Sequence, residues 1–170
     1  VDRNIAYSVY LRNGLIPKNA RKSFGDNVRF KLIGPGRLWT QMGLAAETWR
    51  EPTDLLFVPA HTLPILGNPK VKKVVTIHDL GVEYLPNFHK FPQRYYLDFA
   101  SKYAARHAEA IIAVSAATKR DLVNRYGIDS KKIFVVHEGV DRTIFKRVND
   151  KEIAKIKKKY STTNIFILLF

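Results

Sequence analysis

The chain of 170 residues contains no cysteine and a single methionine. Without cysteine there is no disulfide and no thiolate metal site, which is compatible with a cytoplasmic protein. No apolar run approaches the roughly 18 residues needed to cross a bilayer. Acidic residues are scarce: 15 Asp and Glu stand against 29 Lys and Arg, for a formal charge of +14. Several catalytic signatures are also absent: HExxH, the P-loop, GxGxxG, a placeable Ser-His-Asp set, and an Asp-x-Asp metal anchor. The opening Val1-Asp2-Arg3-Asn4 has neither an initiator Met nor the apolar core of a signal peptide. The expectation is a processed, trimmed or fragmentary chain.

A charge of this size favours anionic partners: nucleic acid, an acidic membrane surface or a phosphorylated substrate. The plainer reading is one half of a larger protein whose other half balances the excess. Hydrophobic content of 46% and charged content of 26% fit a soluble globular chain. Its length suits one domain with a sizeable core and is short for two.

Three short apolar runs carry most of the information. Val74-Val75-Thr76-Ile77 ends in His78-Asp79-Leu80-Gly81, and Ala110-Ile111-Ile112-Ala113-Val114 ends in Ser115. Ile133-Phe134-Val135-Val136 ends in His137-Glu138-Gly139-Val140-Asp141. Runs rich in β-branched residues suit parallel strands buried on both faces. Ligands bind outside the carboxyl ends of such strands, where these polar groups fall.

Other strands are expected at Ile5–Leu11, with a short helix as its alternative, at Val28–Ile33 and at Leu55–Val58. A helix is predicted from Leu38 to Trp49, with Leu38, Met42, Ala45, Ala46 and Trp49 near one face. A longer one is predicted from Gln93 to His107, with Tyr96, Phe99, Ala100 and Tyr103 toward a core. Ser115 is placed as N-cap and Gly127 as C-cap of a helix from Ala116 to Tyr126. Alternating strands and helices indicate an α/β fold built from right-handed βαβ units. Lys151 to Tyr160 reads as a basic helix, and Ile165 to Phe170 as an apolar strand in need of a sheet partner.

Thr76-Ile77-His78-Asp79-Leu80, Ile112-Ala113-Val114-Ser115 with Thr118-Lys119-Arg120-Asp121-Leu122, Tyr126-Gly127-Ile128, and Gly139-Val140-Asp141 with Phe145 follow in one order. Together they resemble the amino-terminal half of family 4 glycosyltransferases, retaining enzymes of the GT-B fold. The resemblance covers about residues 54 to 145; residues 1 to 50 match only in their general strand and helix pattern. It implies a Rossmann-like parallel sheet with flanking helices, one half of a GT-B architecture. Residues 1–144 would be a partial acceptor-side domain. Residues 145–170 would be a linker, the basic helix and the first strand of a donor-side domain. The family's first strand and glycine-rich loop have no counterpart before Ile5. Most nucleotide-sugar contacts would lie on the donor side, so this chain alone is expected to be inactive.

The resemblance implies a place for His78 in the cleft near the donor sugar. Independently, a histidine at a strand's carboxyl end can hydrogen-bond a sugar hydroxyl while mostly neutral. A loop histidine satisfying local backbone groups is the alternative. Asp79 either orients His78 and meets the acceptor, or caps a turn. His61 follows another strand end and is a candidate for the same cleft. Ser115 is weighed as helix cap against anion contact, and Lys119 and Arg120 as acceptor contacts against exposed helix positions. Gly139 and Asp141 read as hinge elements, or as an ordinary turn.

The expected activity is hexosyl transfer from a nucleotide sugar to an unidentified, potentially lipid-linked acceptor, without a metal or other cofactor. Protein charges would stabilise the departing diphosphate. The alternative is a non-catalytic module binding a carbohydrate, a partner chain or an anionic surface. A cytoplasmic chain touching an anionic membrane through the basic helix is a further expectation, set against a solvated helix face. Nucleic acid is disfavoured, since the aromatics fall at core spacing and do not interleave with Lys and Arg.

Overall fold

The computed structural model describes residues 2, 4–12, 24–34, 36, 38–84, 93–143 and 149–161. They belong to two compact units, Val1–His137 and Glu138–Phe170.

In the first unit, β1 (Tyr7–Leu11) and β2 (Val28–Leu32) pair in parallel, with Tyr7 opposite Val28 and Leu11 opposite Leu32. A separate four-stranded parallel sheet holds β3 (Leu55–Val58), β4 (Lys72–Ile77), β5 (Ala110–Ala113) and β6 (Ile133–Val135), side by side in chain order. Helix α1 (Ala45–Arg50) leads into β3. Helices α2 (Gly81–Tyr84) and α3 (Gln93–His107) join β4 to β5, and α4 (Ala116–Tyr126) joins β5 to β6. This is the expected α/β arrangement, a Rossmann-like parallel sheet with flanking helices.

The core lies on one face of the four-stranded sheet. Leu56, Val58, Val75, Ile77, Ile111, Ala113 and Ile133 point into it, against Leu44, Ala104, Ala105, Ala108, Leu122 and Tyr126 from the helical layer. Alternation along each strand sends Leu55, Phe57 and Phe134 to the other face, where they stay 52%, 49% and 57% exposed. Tyr10 and Ile33 pack the β1–β2 region against the same core. Lys31 on β2 pairs with Glu47 and Glu51, which tethers that strand to α1 and the residue after it.

Helix ends follow the local chemistry. Ser115, in extended conformation, accepts a hydrogen bond from the Thr118 N–H at the start of α4. Gly127 ends α4 at φ 66°, a left-handed angle that glycine adopts without a Cβ penalty. In the second unit, α5 (Asp150–Lys159) is capped by Asn149, whose Oδ1 accepts from the Glu152 N–H at 2.9 Å. Its first turn carries Asp150 and Glu152 and its last Lys157, Lys158 and Lys159, charges matched to the helix dipole.

Two helix faces depart from the sequence reading. The segment expected as one helix from Leu38 to Trp49 is a π-helical stretch, Thr40–Leu44, running into α1. Its Leu44 N–H reaches back to the Trp39 carbonyl, five residues away. Each residue added to a turn rotates the following face by about 100°. Gly43, Leu44, Ala45, Glu47 and Thr48 are therefore the buried residues, Ala45 as expected, while Leu38, Met42, Ala46 and Trp49 are exposed. The turn has a close approach built in: a Cβ on Gly43 would collide with the Gly34 carbonyl oxygen.

On α3 the buried positions are Ala100, Ser101, Ala104 and Ala105, with Tyr96 and Phe99 left largely outside. Small side chains let this helix sit close to the sheet. The aromatics form a flanking ladder, with Phe99 and Tyr103 rings 6.2 Å apart and Tyr103 and His107 stacked at 4.0 Å. The expected strand at Ile165–Phe170, Phe145, and the loops at Asn13-Gly14, Pro17, Pro86 and Pro92 lie outside the described residues.

Candidate active site

Parallel strands bring their carboxyl ends to one edge, and the end of each strand of the four-stranded sheet supplies a polar group there. After β3 the chain runs Pro59-Ala60-His61, and after β4 it runs His78-Asp79. β5 leads through Val114 to Ser115, and β6 leads through Val136 to His137.

His61 and His78 are brought together. Their rings stack with centroids 5.4 Å apart and planes 25° from parallel. His78 Nε2 lies 3.3 Å from the Pro59 carbonyl, a pure acceptor, so this nitrogen donates. That bond ties the end of β4 to the end of β3. Burial lowers the His61 pKa below its ordinary 6.5, opposed by Asp79 and reinforced by His78. His61 is thus held neutral near pH 7.

Asp79 takes the turn role weighed for it: its Oδ1 accepts from the Gly81 N–H at 2.7 Å, where α2 begins. Ser115 is the cap of α4 and also part of a short relay. Thr118 Oγ1 donates to the His78 carbonyl at 3.0 Å, and Ser115 Oγ lies 2.9 Å from the same Thr118 oxygen. With the Thr118 proton committed to His78, Ser115 is the donor of that bond. Buried Thr118 therefore fixes the backbone that carries the His78 ring.

Lys119 directs its ammonium to the Ile133 carbonyl at 2.6 Å, a bond within the fold, and Arg120 is exposed. His137 closes the row, with Nδ1 3.2 Å from the Val114 carbonyl. The sequence singled out neither Thr118 nor His137 as a site residue. Thr118 could have been found from its spacing of three after the capping serine, and His137 from its place at the third run's end.

Gly139 and Asp141 belong to the second unit, whose boundary falls between His137 and Glu138. Among the described glycines only Gly127 has positive φ, so Gly139 does not use the freedom that motivated a hinge role. Asp141 forms a local turn, its Oδ1 accepting from the Thr143 N–H and hydroxyl at 2.8 and 2.6 Å.

The strand ends thus gather a stacked imidazole pair beside a capped helix start on an α/β sheet. The chain belongs to Glycosyltransferase Family 4, whose profile matches residues 3–143. The O-antigen chain mannosyltransferase RfbU of Salmonella typhimurium is 30% identical over 92 residues, 54% of this chain and 24% of that protein. The chain thus aligns with about a quarter of the curated relative's length. Among solved structures, a glycosyltransferase from Rickettsia africae is similar at TM-score 0.48 and 13% identity, over 93% of this chain and 50% of that one. Anabaena Alr3699/HepE, solved in complex with UDP and glucose, is similar at TM-score 0.47 and 16% identity, over 92% and 50%.

Proposed function

We propose that the whole protein transfers a hexose from a nucleotide sugar to an acceptor with retention of configuration, and that this chain forms the acceptor side. Family membership supports glycosyl transfer, and the mannosyltransferase relative supports a hexose. The observation that carries the reading to particular residues is the stacked His61–His78 pair at the strand ends.

His78 is the sugar-binding residue in this proposal. The Nε2 bond to the Pro59 carbonyl holds the His78 ring at the strand ends, where a sugar would meet it. Stacked His61, kept neutral by burial, supports the ring without repelling a charge. Stabilisation of the departing diphosphate falls to protein charges and not to a metal, chiefly on a donor-side domain. The proposal includes a cytoplasmic location and a lipid-linked acceptor; no described helix is long and apolar enough to cross a membrane.

The test is nucleotide-sugar turnover by the full-length product of the native gene and by residues 1–170 alone. We expect turnover from the former and none from the latter. His78→Ala should lower kcat/KM at least tenfold, about 1.4 kcal/mol of transition-state binding, with an unchanged melting temperature. Unaltered turnover in that variant would remove His78 from the site. Binding that vanishes at moderate salt with no dependence on sugar would replace transfer by charge-driven anion binding.

A further inference from the structure

The helical layer of the first unit carries large apolar side chains that the core does not take up. Met42, Trp49, Leu66 and Phe99 are 53%, 58%, 77% and 55% exposed, and Leu66 is the most exposed large apolar residue among those described. Hydrogen bonds make them neighbours. Trp49 Nε1 donates to the Leu66 carbonyl at 2.9 Å, and the Tyr103 hydroxyl to the Ile65 carbonyl at 3.2 Å. Gln41, beside Met42, reaches the Leu63 carbonyl and the Ile65 N–H, and its Nε2 lies 3.4 Å from the Tyr96 hydroxyl. The Phe99 and Tyr103 rings are 6.2 Å apart. One apolar surface therefore joins α1, the turn at residues 64–67 and the outer side of α3, and contiguous patches of this kind mark interaction or membrane sites.

The backbone of the turn is satisfied from within the chain. Gln41 serves the Leu63 carbonyl and the Ile65 N–H, Tyr103 and Trp49 serve the carbonyls of Ile65 and Leu66, and the Gly67 N–H returns to the Pro64 carbonyl. A turn in water needs no such side-chain partners, because water supplies them. A turn that enters the boundary between lipid headgroups and acyl chains does need them, since bare polar groups are costly there. The surroundings are cationic. Arg50, next to Trp49, has 83% of its side chain exposed, and exposed Lys70 follows Asn68, which is bonded to Thr48 on α1. The nearby carboxylates are paired, Glu47 and Glu51 with Lys31 and Asp98 with Lys102. A formal charge of +14 opposes a second copy and complements anionic headgroups. The basic helix α5 offers a smaller apolar set, Ile153, Ile156 and Tyr160.

We propose that the turn tip at Leu66, with Met42, Trp49 and Phe99 around it, is a docking surface for an anionic lipid bilayer. The apolar side chains sit at the boundary between headgroups and acyl chains, and Arg50 and Lys70 meet the headgroups. The indole N–H of Trp49 enters that boundary already bonded, so the ring brings no bare donor with it. The proposal is independent of the transferase reading, and its test contains no nucleotide sugar.

Co-sedimentation of the full-length product of the native gene with lipid vesicles tests it. Phosphatidylcholine vesicles containing about 30% phosphatidylglycerol should bind at least about tenfold more tightly than pure phosphatidylcholine. Leu66→Glu and Met42→Glu should each weaken that binding at least about tenfold. Both side chains are exposed, so Tm should stay within about 2 °C of the parent. Arg50→Glu should weaken binding to the anionic vesicles alone. No binding by the parent, or binding unchanged in Leu66→Glu and Met42→Glu, overturns the proposal. Binding lost in Ile156→Glu but kept in Leu66→Glu would move the contact to α5 and overturn it too. A larger Tm loss in Leu66→Glu would mean that folded protein covers the turn. A dimer that Leu66→Glu dissociates would mean that a second copy does, and either result rejects the bilayer.

Discussion

The two faces of the four-stranded sheet are built from equally apolar strands and meet opposite fates. On one face Val75, Ile77, Ile111 and Ile133 are almost wholly buried against helices. On the other, Leu55, Phe57 and Phe134 on the two outer strands are about half exposed, while Thr76 on β4 is buried. The strand sequence therefore specifies two surfaces that can be covered. Which one is covered within these residues depends on the direction in which the chain crosses the sheet. The strand ends obey a different rule: they collect polar groups regardless of which face is covered.

The largest contrast should come from truncating one residue on each face. Ile111→Ala removes a fully buried side chain from the centre of the core and should cost about 2–5 kcal/mol. Phe57→Ala in residues 1–170 should cost no more than about 0.5 kcal/mol, the range of ordinary surface substitutions. Urea titration of both variants reads the difference directly. Equal costs would mean that the outer face is also packed.

A smaller effect is expected where the covered face meets the strand ends. Thr118→Val keeps the shape but loses the hydroxyl that donates to the His78 carbonyl, leaving a buried bond unmade. The expected loss is about 1–3 kcal/mol, with a shifted His78 imidazole resonance in NMR. Thr118→Ser should restore both readouts. A normal His78 signal in the valine variant would show that Thr118 supports the fold without positioning His78.

The smallest effect concerns protons. Burial places the His61 pKa below its unfolded value of 6.5, so the unfolded chain binds the proton more readily. The stability contributed by neutral His61 is complete above pH 6.5 and declines as pH falls through that value toward the lower folded pKa. His61→Gln should flatten the slope of unfolding free energy against pH in that window. An unchanged slope would mean that the ring is as well solvated as in the unfolded chain.

Much of this organisation was legible because it depends on neighbours in the chain. Ser115 and Gly127 bound α4 through bonds spanning a few residues, and β3 occupies the expected Leu55–Val58. The row of His61, His78 and Ser115 followed from parallel strands ending at one edge. What stayed hidden depends on contacts distant in sequence. The π-helical stretch at Thr40–Leu44 rotated a helix face that periodicity had assigned otherwise. Lys73 immediately precedes the apolar run that begins at Val74. It is buried within β4, its ammonium donating to the Asn68 and Val71 carbonyls at 3.2 and 2.9 Å. Lys119, a candidate acceptor contact by type, is directed to Ile133 by a bond that no local pattern announces.

The sequence by itself determined the parallel α/β class, the helix caps and the edge of the sheet that carries the polar residues. Each of these follows from side-chain alternation, backbone preference or capping over a few positions. Only the tertiary structure decided that His61 and His78 stack, that Thr118 holds His78 from another helix, and that one sheet face is buried while Leu55, Phe57 and Phe134 on the other stay half exposed. Those outcomes join residues 17 to 40 positions apart, or turn on the handedness of crossovers, and a periodic pattern contains neither.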